Sequence, residues 1–150
     1  MTFREAVEAT PDIKTCFQNG LTALGNHSRR VMVADSSMLQ GSVDIDSCTK
    51  KKYPNSNRWD YVFAYKNEVF FVEIHSAHTT KVSTVLKKLK WLKEWLNSQA
   101  PELNKIRLLG RKREQFVWIQ SKNFQIPPGT PQYRAAINAG LLPKNKFILD

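Results

Sequence analysis

Residues 60–75 read Asp-Tyr-Val-Phe-Ala-Tyr-Lys-Asn-Glu-Val-Phe-Phe-Val-Glu-Ile-His, and the fold of the chain turns on them. Two runs rich in aromatic and β-branched residues, Asp60–Tyr65 and Val69–His75, flank the polar Lys66-Asn67-Glu68, which is the pattern of a β-hairpin. A period of two puts Phe71, Glu73 and His75 on one side of the second strand and Phe70, Val72 and Ile74 on the other. A carboxylate inside so apolar a strand needs a reason. Either Glu73 lies on a solvated sheet face opposite a cross-strand lysine, or it is functional. Asp60 opens the first strand, so antiparallel pairing brings both carboxylates to one end of the sheet. Two such groups outline a site for a hard cation, Mg²⁺ or Mn²⁺, which would polarise a phosphodiester and activate a water. The bland alternative for Asp60 is a strand cap or a pair with Arg58.

Working outward, residues 3–24 have helical spacing, with Pro11 as a break or the first turn of a second helix and Thr10 as its N-cap. Gly25-Asn26 stops that region. Val31–Val33 and Gly41–Asp46 follow as short strands, with Asp44 and Asp46 on one face, either a solvent-facing pair or an acidic edge of the same site. Downstream, Val82, Val85, Leu86, Leu89, Leu92 and Leu96 form one helical stripe from Thr80 to Asn97, with Thr79 or Thr80 as N-cap. Pro101 is expected to end that region. Lys105–Leu109 and Gln115–Gln120 then read as strands around the basic turn Gly110–Arg113. A short helix at Pro131–Asn138 and a strand at Phe147–Leu149 complete an α/β (α+β) order of helix, three strands, long helix and further strands.

The 150 residues suit a single domain, residues 1–150, of 41% apolar and 24% charged composition, which excludes disordered and collagen-like classes. No run approaches the roughly eighteen apolar residues of a membrane span, and the first residues lack a secretion signal, so no membrane partner and a cytoplasmic location are expected. Cys16 and Cys48 show neither zinc nor disulfide-framework spacing, and buried reduced thiols are the default. Walker A, GxGxxG, HExxH and GxSxG patterns are absent.

Charge points to a partner. The chain carries 23 Lys and Arg against 13 Asp and Glu, a net +10, and residues 81–122 hold +8 of it. Such a balance is the footprint of nucleic-acid binding. The candidate phosphate contacts are Lys87, Lys88 and Lys90 on the long helix and Arg111, Lys112 and Arg113 at the turn, although a charge run in a turn is often simply solvated. Trp91 and Trp95 either pack against the N-terminal helix or stack bases. His78 reads as a loop or helix-entry residue, and a joint zinc site with His75 would need the chain to turn between them.

The element order, with Asp60 at the head of the second strand and Glu73-Ile74-His75 in the third, resembles the PD-(D/E)xK nuclease superfamily over roughly residues 3–109. That resemblance implies a restriction-endonuclease-like αβββαβ core, a mixed central sheet flanked by helices, and metal-dependent cleavage of DNA or RNA. It makes Asp60 and Glu73 the metal ligands and puts Asp60, Glu73 and His75 in catalytic positions, with Glu5 or Glu8 of the first helix as a possible addition. The departure is His75 where the family places lysine. Three repairs are open: His75 serves as base or ligand, a lysine of the following helix reaches in, or only the fold survives. Lys88 flanks the apolar stripe and Lys93 falls within it, and each either snorkels or reaches the site. A non-catalytic module binding nucleic acid or an acidic protein is the alternative function, and a homodimer or protein partner would supply the surface a small nuclease lacks.

Overall fold

The computed structural model describes residues 1–110 and 112–150; Arg111, one of the expected phosphate contacts, lies outside the described residues. At its centre β3 (Tyr61–Tyr65) and β4 (Glu68–His75) form the expected hairpin, with Tyr61 opposite Val72 and Phe63 opposite Phe70. Lys66 and Asn67 both have positive φ, 49° and 64°, which is the backbone of a two-residue primed turn matched to strand twist. The Gln40 side chain holds Asn67, donating to its Oδ1 at 2.9 Å and accepting from its backbone N–H at 2.6 Å. Gly110 passes directly against the Asn67 carbonyl, where a Cβ would collide with backbone.

β2 (Leu39–Asp44) joins β3 antiparallel, and β5 (Phe116–Gln120) joins β4 parallel, giving a four-stranded mixed sheet ordered β2-β3-β4-β5. A bulge between Leu39 and Gly41 interrupts β2; Gly41, at φ 116°, lets the Phe17 ring lie on the backbone there. The parallel crossover from β4 to β5 runs through α3 (Thr79–Ser98) and α4 (Pro101–Leu109). One face of the sheet, bearing Val62, Ala64, Phe71 and Trp118, is covered by α3, α4, α5 (Pro131–Asn138) and the N-terminal α1 (Phe3–Glu8). The other face, bearing Phe63, Phe70, Val72 and Ile119, packs on a two-stranded parallel sheet of β1 (Val31–Val33) and β6 (Phe147–Leu149). The alternation read in β4 is therefore the division between two cores. Among the described residues no helix is long and apolar enough to cross a membrane.

Five expectations are corrected. The break at Pro11 is present, but no second α-helix follows it: α1 ends at Glu8, Pro11 opens only the 3₁₀ turn Pro11–Ile13, and with Gly20 and Gly25 at positive φ the rest holds a 3₁₀ segment at Thr22–Arg30. Thr10 caps no helix with its side chain, which donates to the Ala6 carbonyl instead. Lys105–Leu109 belongs to α4, because Pro101 starts a helix at its first turn and Leu103 is then buried against the core. The strand at Gly41 stops at Asp44, whose side chain accepts from the Ser47 backbone N–H and opens α2 (Ile45–Thr49). Cys16 and Cys48 form a disulfide across 32 residues, with Cα atoms 6.4 Å apart, because the fold sets the exit of the first 3₁₀ turn beside α2.

Asp12 is a second tie on this side of the molecule. Its carboxylate, 5% exposed, accepts from Lys52 Nζ at 2.7 Å, Tyr53 Oη at 2.7 Å and Trp95 Nε1 at 3.0 Å. Trp91 stacks on Trp95 and meets Tyr53 edge-on, so the two tryptophans pack against the N-terminal segment. Burial pushes the Asp12 carboxyl up, but Lys52, Tyr53 and Trp95 outweigh it and hold its pKa below the ordinary value. A depressed native pKa means that the stabilisation is complete above the unfolded pKa of about 4 and is lost as pH falls through the native value. Asp12→Ala leaves all three donors without their acceptor and is expected to lower unfolding free energy by ~2–4 kcal/mol at neutral pH. Asp12→Asn is expected to remove part of the acid-side loss, and urea unfolding from pH 7 to 3 measures both; parallel curves for variant and wild type would exclude this role.

Candidate active site at the open end of the hairpin

Asp60 immediately precedes β3, and the register that pairs Tyr61 with Val72 sets it across from Glu73. The two residues clamp each other: the Asp60 backbone N–H donates to Glu73 Oε1 at 3.1 Å, and the Ile74 backbone N–H donates to Asp60 Oδ2 at 3.0 Å. Glu73 shares the helix-covered face with Phe71 and is fully buried, so the solvated-face reading does not hold. Its compensation comes from α3. Lys88 Nζ donates to Glu73 Oε2 at 2.5 Å and to Asp60 Oδ1 at 3.4 Å. His75 Nδ1 lies 3.5 Å from Glu73 Oε2, and its ring is 25% exposed. Trp118, opposite Glu73 on β5, is buried and donates through Nε1 to the His75 carbonyl at 3.0 Å, drying that side of the cluster.

Asp60 pairs with Lys88 rather than with Arg58, whose Nε donates to Asp46 Oδ1 at 2.9 Å. The Asp60 carbonyl accepts from the backbone N–H groups of Ile45 and Asp46, at 2.8 and 3.3 Å, seating the start of α2 on the site. Asp44 and Asp46 are thus a helix cap and an ion-pair partner and share no strand face. Tyr61 donates to or accepts from His27 Nδ1 at 3.0 Å; burial, then the charges of Asp44 and Asp60, push its phenol up to about 12. Tyr61 and His27 carry no sequence signal that would tie them to the site.

The remaining candidates separate. Lys87 and Lys90 are exposed, about 100° and 200° around α3 from Lys88, and so do not face the carboxylates. Lys112 is exposed. Arg113 is committed to Glu68 Oε2 at 3.0 Å and Asp150 Oδ1 at 2.8 Å. Lys93 lies outside the buried stripe with Nζ 5.4 Å from the centre of the Phe116 ring. In α1, Glu5 closes a capping box with Thr2 and Glu8 pairs with Arg4 at 3.7 Å, so the two acids stabilise their own helix. His78, the expected helix-entry residue, is itself the N-cap of α3, where Thr79 or Thr80 was expected: its Nδ1 accepts from the Thr80 backbone N–H at 3.2 Å.

Two carboxylates against one ammonium leave the cluster one negative charge when both are ionised. Burial, then the neighbouring Glu73 charge, raise the Asp60 pKa to about 7, while Lys88 and the Ile74 N–H oppose the shift. Burial works against the Lys88 charge, yet Glu73 and Asp60 outweigh it and raise its pKa, so Lys88 stays an ammonium. Among the described residues no group of three His, Cys, Asp or Glu could hold a metal. The donor set still suits Mg²⁺, which commonly takes one or two carboxylates and keeps its waters; each carboxylate oxygen here retains a lone pair beyond its protein hydrogen bond.

Scans of the chain against protein-family models, curated proteins and solved structures find no match.

A native Asp60 pKa raised from about 4 to about 7 means that the folded protein holds a proton the unfolded chain has released. Stability is therefore expected to decline as pH rises between those values and to level off above pH 7. Asp60→Asn keeps the side-chain shape and should flatten that decline, which unfolding midpoints measured from pH 4 to 8 test directly; an unchanged slope would mean that Asp60 is not the titrating group.

Proposed function

We propose that the chain is a metal-dependent phosphodiesterase acting on nucleic acid, built on a restriction-endonuclease-like core. The observation that carries this reading is the reach of Lys88 Nζ to both Asp60 and Glu73, which supplies from a helix the ammonium that His75 cannot supply from the strand. The strand order β2-β3-β4-β5, with β5 returning parallel to β4 through helices, supports it as well.

In this reading Asp60 and Glu73 would hold Mg²⁺ or Mn²⁺. The bound cation would polarise the phosphodiester and lower the pKa of a water. The Asp60–Ile74 and Glu73–Asp60 backbone bonds fix both carboxylates before any ligand arrives, so little reorganisation accompanies binding. Lys88, kept charged by its neighbours, offers a preorganised cation to the oxygens on which negative charge develops. His75, at the exposed rim 3.5 Å from Glu73 Oε2, would serve as general base toward the water. Outside this cluster, Lys112 and the exposed lysines of α3 supply non-specific attraction for a polyanion.

One observation favours a second reading, a non-catalytic binding module: all four carboxylate oxygens already accept from a protein donor, as in a closed structural triad. Cleavage of mixed DNA and RNA with Mn²⁺ separates the two. Asp60→Asn and Glu73→Gln are expected to lower the rate by on the order of 10²-fold or more with far-ultraviolet dichroism unchanged. Lys88→Arg keeps the charge and should retain more activity than Lys88→Met. Absence of cleavage by the wild type, with salt-dependent binding retained, would establish the binding module instead.

A further inference from the structure

The flank of α3 opposite Lys88 carries an apolar groove that the phosphodiesterase reading does not use. α5 packs against α3 through the buried Ala136, and between the two helices lies an open groove of about 500 Å³. Its floor is aliphatic, made of Val82 and Leu86 of α3 and Pro131 and Ala135 of α5; Lys87 and Lys90 stand on its rim. Both lysines are exposed, and neither makes an ion pair among the described residues. The N-terminal turn of α5, beginning at Pro131, opens onto the same groove and adds the positive end of a helix dipole. Three positive features thus converge on one apolar trough. Glu94, one turn beyond Lys90, is the nearest acid along α3 and is not among the lining residues.

We propose that this groove docks an acidic amphipathic helix of a partner protein, which sets apolar side chains on Leu86 and Ala135 and carboxylates against Lys87 and Lys90. Val82 and Lys90 are eight residues apart, ~12 Å along the helix axis, the length that accepts two successive side chains at i and i+4. The floor has no aromatic ring on which a nucleobase could stack, which separates it from a single-strand nucleic-acid channel. Paired charges around an apolar centre favour rapid and oriented docking. This inference is independent of catalysis at Asp60 and Glu73.

The test uses the full chain and a short fluorescein-labelled synthetic helical peptide with Leu at i and i+4 and Glu elsewhere, followed by fluorescence anisotropy. Lys87→Glu with Lys90→Glu is expected to weaken binding roughly tenfold or more, and a peptide with Lys in place of Glu should recover binding to that variant and not to wild type. Leu86→Ser should weaken the acidic peptide without reversing the charge preference. Equal affinity of the acidic peptide for wild type and double variant overturns the proposal, as does no binding to wild type. Displacement of the peptide by dodecanoate with no charge-swap recovery assigns the groove to a lipid and overturns it too, and loss of oligonucleotide binding in the double variant without any peptide binding assigns it to nucleic acid.

Discussion

The burial of Glu73 is the constraint on which the rest of the structure depends. A carboxylate on the helix-covered face of β4 loses its hydration, and the Asp60 backbone N–H and the Lys88 ammonium replace it. Removing one partner of such a pair typically costs ~3–5 kcal/mol, because the other charge is left uncompensated. The position of α3 on the sheet is therefore set by charge as well as by its apolar stripe. Once α3 crosses β4 with Lys88 over Glu73, the chain must return on the far side, and β5 adds parallel to β4.

The N-terminal half closes the same region by different means. It has no long helix, and its 3₁₀ turns bury little on their own. The Cys16–Cys48 bridge and the Asp12 hub tie it to α2, to the Lys52-Tyr53 loop and to Trp95 of α3. α2 is in turn seated on the Asp60 carbonyl, and Arg58 bridges from Asp46 to the Tyr53 carbonyl at 2.6 Å. Asp60 thus sits where the sheet, α2 and α3 meet, and this enclosure is what raises its pKa.

Periodic signals were legible from the residues alone. The hairpin, its two faces, the α3 stripe, α5 and β6 were all visible as alternation or helical spacing, because each buries a regular set of apolar positions. The failures came where pattern is short or partners are distant. Lys105–Leu109 is too brief for its apolar residues to distinguish strand from helix, and Pro101 read as a stop is in fact a start. The disulfide joins cysteines whose proximity only the tertiary fold creates. Strand register alone brings Asp60, Glu73 and His75 to one end of the sheet, but the sequence leaves Lys88 open between solvent and that cluster, since a flank position on a helix serves either. The basic turn was read as uniform, whereas Arg113 is held by Glu68 and by Asp150, thirty-seven residues away along the chain.

The helical period also changes what the net charge means. Lys87, Lys88 and Lys90 are near neighbours in sequence, and as composition they make one basic run. On α3 they divide. Lys88 is drawn inward to neutralise two carboxylates, and Lys87 and Lys90 border an aliphatic groove on the opposite flank. A lysine spent on an internal acid contributes little field at a distance, since its charge is balanced within a few ångströms; an unpaired lysine beside apolar surface keeps its full attraction and adds a shape requirement. The excess of +10 is consequently not a single electrostatic footprint. Part of it is structural and part is presented beside an aliphatic trough, so the α3 lysines cannot be treated as interchangeable phosphate contacts.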